Sequence, residues 1–338
     1  MENPLSNVKP LEVKHIVEPT REAATYIDQR RKGLIRSLIT PWSKYNSVAM
    51  GGIEWNTIHT IGGRSGSGKT AILNQLETEL GFLNPQDNFD ILSFNFEMLA
   101  RNLVGRKFAS RLDKTTKELY SGEVGKSLSD ADYNRVLEEG KEIAKLNVYY
   151  VEHSGTVPQI ELTIHNHYRD MITKDARKGL VVLLDHTILV IGKQGELERI
   201  VLMELMTMFN RLKKMYKISF VLLTQLNRDI ESSDRMTDHT RHFPMRKDIF
   251  GGDMVYQFSD VVMVSMNPEQ MGIQAYGPHN WPTEGFLYWH FLKVREGEPI
   301  VAQMKNMLKY SRVEEPAFGE QSYNESPSIP GGYNMSDV

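Results

Sequence analysis

The sequence predicts an α/β fold built on a mostly parallel central sheet. Three observations carry that expectation. Apolar runs of strand length recur from Thr57 onward, and helical stretches separate most of them, as crossover-connected parallel strands require. Some of these runs, Leu180–Leu184 above all, are apolar throughout, as strands buried on both faces are. A glycine-rich turn over residues 63–70 joins one such strand to a helix. A chain of 338 residues has room for one large domain with arms or for two small ones.

Residues 1–17 read as a flexible arm. Thr20 is placed to cap a helix running to about Arg31, with Ala23, Ala24, Ile27, Leu34 and Ile35 as its apolar stripe and Gly33 as its stop. Residues 18–48 are therefore expected to form a linker-helix region, lying on its own domain or on a neighbouring subunit. The strand Thr57–Ile61, the glycine-rich turn and a helix Thr70–Leu80 follow. Ile91–Phe96 is the second strand, leading past Glu97 into a helix through Ser110. Residues 111–146 are charged and helical, with a helix start at Ser129–Asp132. Val148–Val151 is a short strand and Leu180–Leu184 a buried one ending in Asp185. Glu196–Lys217 forms a long helix whose methionines at 203, 206, 208 and 215 are expected to pack on the sheet. Ser219–Thr224 ends in Gln225, and Val261–Ser265 follows. Phe286–Val294 and Ile300–Lys305 make a terminal β-hairpin. The domain is expected over 49–313, and the Pro-, Gly-, Ser- and Asn-rich residues 314–338 as a disordered tail.

Composition narrows the function. A net charge of −3 excludes a globally basic nucleic-acid binder, so any such contact is local or pooled by a ring of subunits. With no cysteine, disulfides and cysteine-held zinc are excluded. The pairs His165/His167 and His239/His242 lack metal-ligand context. Residues 1–14 carry no apolar signal core, and no apolar run approaches the ~20 residues that cross a bilayer. A soluble cytoplasmic protein without a membrane partner is expected.

Gly63-Arg64-Ser65-Gly66-Ser67-Gly68-Lys69-Thr70 fills every fixed position of a P-loop. Residue frequencies give a chance match roughly once in a hundred chains of this length. The strand before it and the helix after it lower those odds. Its glycines let backbone N–H groups, to Ala71 in the helix, turn around phosphates of ATP. Lys69 reaches the β- and γ-phosphates, and the Thr70 hydroxyl is a ligand for Mg²⁺. Asp185, delivered at the end of a buried strand, is the second metal ligand, a carboxylate. Glu97 ends another strand. It reads either as a general base for water or as a charge favourable at a helix N-terminus. Gln225 reads either as a γ-phosphate hydrogen-bond partner or as a polar strand end. His186, beside Asp185, is placed to shield the site or sense nucleotide.

These residues in this order resemble the DnaB-type replicative hexameric helicases, whose motor domain is RecA-like. Phe94-Asn-Phe-Glu97-Met98 is similar to the family's catalytic-glutamate motif. Leu183-Leu-Asp185-His186 is similar to its Walker B, where tyrosine often stands in place of His186. Leu223-Thr-Gln225-Leu-Asn-Arg228 is close to the third motif. Asp248 to Asp260 has the spacing of the fourth, and Lys293-Val-Arg295-Glu-Gly297 resembles the Lys-x-Arg-x-Gly segment. The likeness spans roughly residues 50–313. It implies Glu97 as catalytic base and Arg295, with Lys293 beside it, as an arginine finger acting on the adjacent subunit's ATP. It also implies a homo-oligomeric, hexameric ring on single-stranded DNA, 5′–3′ unwinding, and a primase or helicase loader as partner.

The sequence departs from the family in two places. The family's DNA loop, commonly Asp-Leu-Arg-Glu-Ser-Gly, here reads Asp248-Ile-Phe-Gly-Gly-Asp253 and lacks the arginine. DNA contact then falls to Arg241, Arg246 and Lys247, to stacking by Phe250, and to the backbone N–H groups of Gly251 and Gly252. Only some 50 residues precede the core here, and they are expected to match at most the family's linker helix, not its helical N-terminal domain. Two rival functions keep the ATP site: a RecA-like DNA-dependent ATPase (recombinase or packaging motor), and a nucleotide-dependent assembly scaffold without unwinding.

Overall fold

The computed structural model describes residues 11–123 and 125–317. The first ten residues of the expected arm and the expected tail beyond 317 lie outside the described residues. The chain divides into two units, Met1–Ser37 and Leu38–Val338.

The described part of the first unit is one helix, α1 (Val17–Arg31). It starts three residues before the expected cap, because Thr20 donates from its hydroxyl to the Ile16 carbonyl at 2.8 Å from within the helix. The stop falls at Gly33, whose φ of +67° is the left-handed conformation glycine adopts at low cost. None of the α1 residues is buried, and Ile27 is 66% exposed.

The second unit runs α2 (Ser43–Val48), β1 (Ile58–Gly63), α3 (Lys69–Leu83), β2 (Phe89–Asn95), α4 (Ala100–Leu112), α5 (Thr116–Tyr120), α6 (Asp130–Ile143), β3 (Val148–Val151), α7 (Val157–Lys174) and β4 (Gly179–Asp185). Then come α8 (Glu198–Met215), β5 (Ile218–Gln225), α9 (Ser233–Thr237), α10 (Gly252–Phe258), β6 (Val261–Met266), β7 (Ala275–Tyr276), β8 (Trp281–Pro282), β9 (Phe286–Val294), β10 (Val301–Met307) and β11 (Arg312–Glu314). Residues 38–48 belong to this unit, with Leu38, Trp42 and Tyr45 in its core.

Among the described residues, nine strands form one sheet in the order β11-β10-β9-β6-β1-β5-β4-β2-β3. The six from β6 to β3 are parallel. Strands β9, β10 and β11 extend the sheet antiparallel, and β7–β8 is a separate ribbon. Strand β4 shows why its sequence is apolar without alternation. Leu180, Val182 and Leu184 enter the core on one face, and Val181 and Leu183 enter the core on the other. Helix α8 buries Met206 and Met208, while Met203 and Met215 stay about half exposed. The C-terminal ends of the parallel strands all reach one edge of the sheet, where ligands of open α/β folds bind.

Candidate functional site

The glycine-rich turn leaves β1 at that edge and feeds α3. Gly63 sits where a Cβ would lie 2.2 Å from the Ser67 Oγ and 2.9 Å from the Ser265 carbonyl oxygen. Gly68, the residue before α3, has φ +88°, and its missing Cβ makes room for Leu308. Lys69 is buried, and its ammonium donates to the carbonyls of Gly63 (2.7 Å) and Arg64 (2.8 Å). Burial brings its pKa down to about 8, against the opposing pull of the Asp185 and Glu97 carboxylates. Ser265 and Asn267, at the end of β6, hold the outer face of the turn through the Ser67 and Gly66 carbonyls.

Asp185 ends β4. Its Oδ2 accepts from the Thr70 hydroxyl at 2.9 Å. Burial raises its pKa to about 6, with Glu97 adding to the rise while the Thr70 hydroxyl and Lys69 oppose it. Beyond β2, the Phe96 N–H donates to the Asp185 carbonyl at 3.2 Å, which carries the exposed Glu97 to the same edge. Gln225 ends β5, its amide nitrogen 3.4 Å from His186 Nε2. Burial lowers the His186 pKa.

These groups line one cleft of about 380 Å³: Arg64, Ser65, Gly66, Gly68, Lys69, Thr70 and Ala71 from the turn, with Glu97, Asp185, His186 and Gln225. Sequence motifs did not mark the rest of the lining. Arg106 comes from α4 and Thr116 from α5, while Leu308, Lys309 and Ser311 come from the turn between β10 and β11. That turn is anchored on α3 by the Val313 N–H, which donates to Gln75 Oε1 at 3.0 Å. A buried ion pair ties the helices carrying the two motifs. Lys107 of α4 reaches Glu77 of α3 at 2.8 Å, both side chains 1% exposed. Ser93 and Tyr150 also donate to Glu77.

Lys293 and Arg295 are not in this cleft. They stand at the end of β9, which runs antiparallel to β6, so that Val294 is opposite Val261 at the other edge of the sheet. Strand β1 alone spans six residues, roughly 17 Å at about 3.3 Å per residue. Neither side chain reaches the glycine-rich turn of its own chain. The Lys293 ammonium turns inward to the Tyr256 and Gln257 carbonyls.

Past Gln225 the chain is tied to residues 246–252. Phe250 N–H donates to the Gln225 carbonyl (3.0 Å), and Asn227 N–H to the Asp248 carbonyl (2.6 Å). Arg235 and Asp248 form a buried ion pair at 2.6 Å beneath this segment. Lys247, Arg241 and Arg246 are exposed, Arg246 lying 2.9 Å from Asp253, while Phe250 and Gly251 are half-buried. The Gly252 N–H donates to the Ile249 carbonyl at 2.9 Å.

The donor set fits a magnesium nucleotide. It offers a lysine at a phosphate-sized turn, a hydroxyl joined to a carboxylate, and the Ser67 Oγ buried with no hydrogen-bond partner among the described residues. The sequence profile of the DnaB-like helicase C-terminal domain matches residues 40–315. No curated protein sequence matches the chain. Among solved structures, one described as an ATPase domain is similar with a TM-score of 0.73 and 14% identity, over 88% of this chain and 98% of that one. A DnaB-like replicative helicase, described with its interactions with primase, has a TM-score of 0.71 and 15% identity, over 92% of this chain and 69% of that one.

Proposed function

From the premise that the chain belongs to the DnaB-like helicase family, and is an ATP-hydrolysing replicative DNA helicase with a RecA-like core, we propose how its residues divide that work. Residues 63–71 cradle the triphosphate, with Lys69 on the β- and γ-phosphates. Thr70 and Asp185 hold Mg²⁺, which when bound neutralises charge on the phosphates. Glu97 takes a proton from the attacking water, and Gln225 bonds the γ-phosphate or that water. Arg295 of an adjoining subunit, with Lys293 beside it, completes the site.

The convergence of Lys69, Thr70, Asp185, Glu97 and Gln225 on one cleft supports this reading, with Arg295 at the far edge of the sheet. A finger that cannot reach its own nucleotide can still serve a neighbour's. That geometry favours a closed ring of like subunits, six in number by family likeness, over a monomeric ATPase. Hydrolysis then depends on assembly, and each turnover moves one subunit against the next. The body comprises residues 49–313 with their buried approach 38–48. The exposed apolar residues of α1 make residues 11–37 a joining arm between subunits.

Residues 241–252 form the single-stranded DNA contact, coupled to the cleft through the hydrogen bonds that join Gln225 and Asn227 to Phe250 and Asp248. Translocation runs 5′ to 3′, and a primase or loader is the expected partner. No described helix is long and apolar enough to cross a membrane. The test is ATPase activity and strand displacement with and without single-stranded DNA. Wild-type protein is expected to hydrolyse ATP faster on DNA and to unwind. Arg295→Ala is expected to lose at least a hundredfold in kcat. Unaltered turnover by that variant would refute the role given to Arg295.

A further inference from the structure

Arg295 is held unusually well for a half-exposed side chain. Its backbone N–H donates to the Asp260 carbonyl at 2.9 Å, and its Nε lies 2.7 Å from Asp260 Oδ1. The other oxygen of the same carboxylate accepts from Lys213 (2.7 Å) and from the Ile58 N–H (2.8 Å). Asp260 thus sits at a fixed point between β6, β1 and α8, its side chain 11% exposed against 52% for Arg295. Burial by itself would raise the Asp260 pKa. The Lys213 and Ile58 hydrogen bonds and the Lys213 and Arg295 charges outweigh it and hold the carboxyl below its ordinary value. Among the described residues, no hydrogen bond engages either Nη of Arg295, and the shortest approach to Asp260 is at Nε.

A guanidinium is a rigid plane with one donor on Nε and four on the two Nη atoms. An ion pair at the Nε end restrains the side chain, and the Nη edge can meet an oxyanion in two parallel bonds. We propose that Asp260 is the positioning residue of the arginine finger: its backbone carbonyl and the ion pair of its carboxylate at the Nε end hold Arg295 in place, and leave the Nη groups for the phosphate bound by the adjoining subunit. The inference rests on the trans role of Arg295 proposed above. It also explains the need for arginine. A lysine here has one ammonium, which Asp260 would keep for itself.

The test is subunit mixing, read as DNA-stimulated ATPase. Asp260→Asn leaves the P-loop intact and misdirects the finger. Lys69→Ala leaves the finger intact and disables the P-loop. Asp260→Asn alone is expected to lose at least tenfold in kcat with KM for ATP within about threefold. Mixing it with Lys69→Ala is expected to restore activity, since Lys69→Ala subunits supply good fingers to good P-loops. Arg295→Ala mixed with Lys69→Ala runs alongside. If that mixture recovers and the Asp260→Asn mixture does not, Asp260 acts on its own site or fold and the proposal is overturned. If neither recovers, the trans role itself falls, and the proposal with it. Should Asp260→Asn fail to fold, Arg295→Lys decides. Its kcat is expected within about threefold of Arg295→Ala, and retention of a third or more of wild-type kcat overturns the proposal.

Discussion

Removing the Lys107 ammonium is expected to cost the fold more than any surface substitution. Lys107 and Glu77 are each 1% exposed, with Nζ 2.8 Å from Glu77 Oε2 and 2.9 Å from Asn74 Oδ1. Burial lowers the lysine pKa, and the Glu77 carboxylate is the main force opposing it. Lys107→Met leaves Glu77 as a buried carboxylate with, among the described residues, the Ser93 and Tyr150 hydroxyls as its donors. The cost of such a stranded charge is about 3–5 kcal/mol, a fifth or more of the ~5–15 kcal/mol typical of a folded domain. Lys107→Met/Glu77→Leu removes both charges and is expected to cost at least ~2 kcal/mol less than the sum of the single variants. Urea unfolding measures all three. A cost under ~1 kcal/mol for Lys107→Met, or additive costs in the double variant, would refute the reasoning. The pair also joins the helix after Glu97 to the helix after Lys69. At a temperature where Lys107→Met stays folded, kcat is therefore expected to fall more than KM rises.

Acid titration gives a second expectation. Asp185 in the free chain has a pKa near 6 and must be ionised to hold Mg²⁺. On the Asp185 account, affinity for the magnesium nucleotide falls about tenfold per unit below about pH 6, and above about pH 8 it falls again as Lys69, whose pKa is about 8, loses its charge. Calorimetry that finds the fall beginning near pH 4 contradicts the burial argument. Gly63→Ala places a methyl within 2.9 Å of the Ser265 carbonyl oxygen, so nucleotide binding is expected to fall at least tenfold while far-ultraviolet circular dichroism stays unchanged. Arg235→Met strands Asp248 beneath residues 246–252. Single-stranded DNA affinity is expected to fall at least tenfold with ADP affinity unaltered, and a parallel loss of both would show a general collapse. Ile27→Asp on the exposed face of α1 is expected to lower the assembled fraction in light scattering while each subunit still binds nucleotide.

The parts legible in sequence share a physical cause. Leu180–Leu184 is apolar on every residue because both faces of β4 are covered, and a run so plain needs no context. The P-loop is legible because its glycines answer local steric demands. The helix α7 lies outside the elements that the sequence predicts, although the Thr156 N–H donates to Gln159 Oε1 at its start and a proline stands in its first turn. The strand β11 and the ribbon β7–β8 are two or three residues each, below the length at which a pattern exists. Within the cleft, Arg106, Leu308 and Lys309 arrive by packing between segments some 200 residues apart, which no local pattern records. Lys293 shows the converse. Its spacing marks the finger segment, but spacing does not say that its ammonium turns inward to two backbone carbonyls while Arg295 points out.

The central claim is that Glu97 acts on the water at a cleft assembled by Lys69, Thr70 and Asp185. Glu97→Gln keeps the size of the side chain and removes the base. The deciding measurement is single-turnover ATP hydrolysis on single-stranded DNA, with bound ATP counted in the same sample. The expected result is wild-type ATP binding with hydrolysis slowed at least a hundredfold and no strand displacement. Hydrolysis within tenfold of wild type would contradict the account.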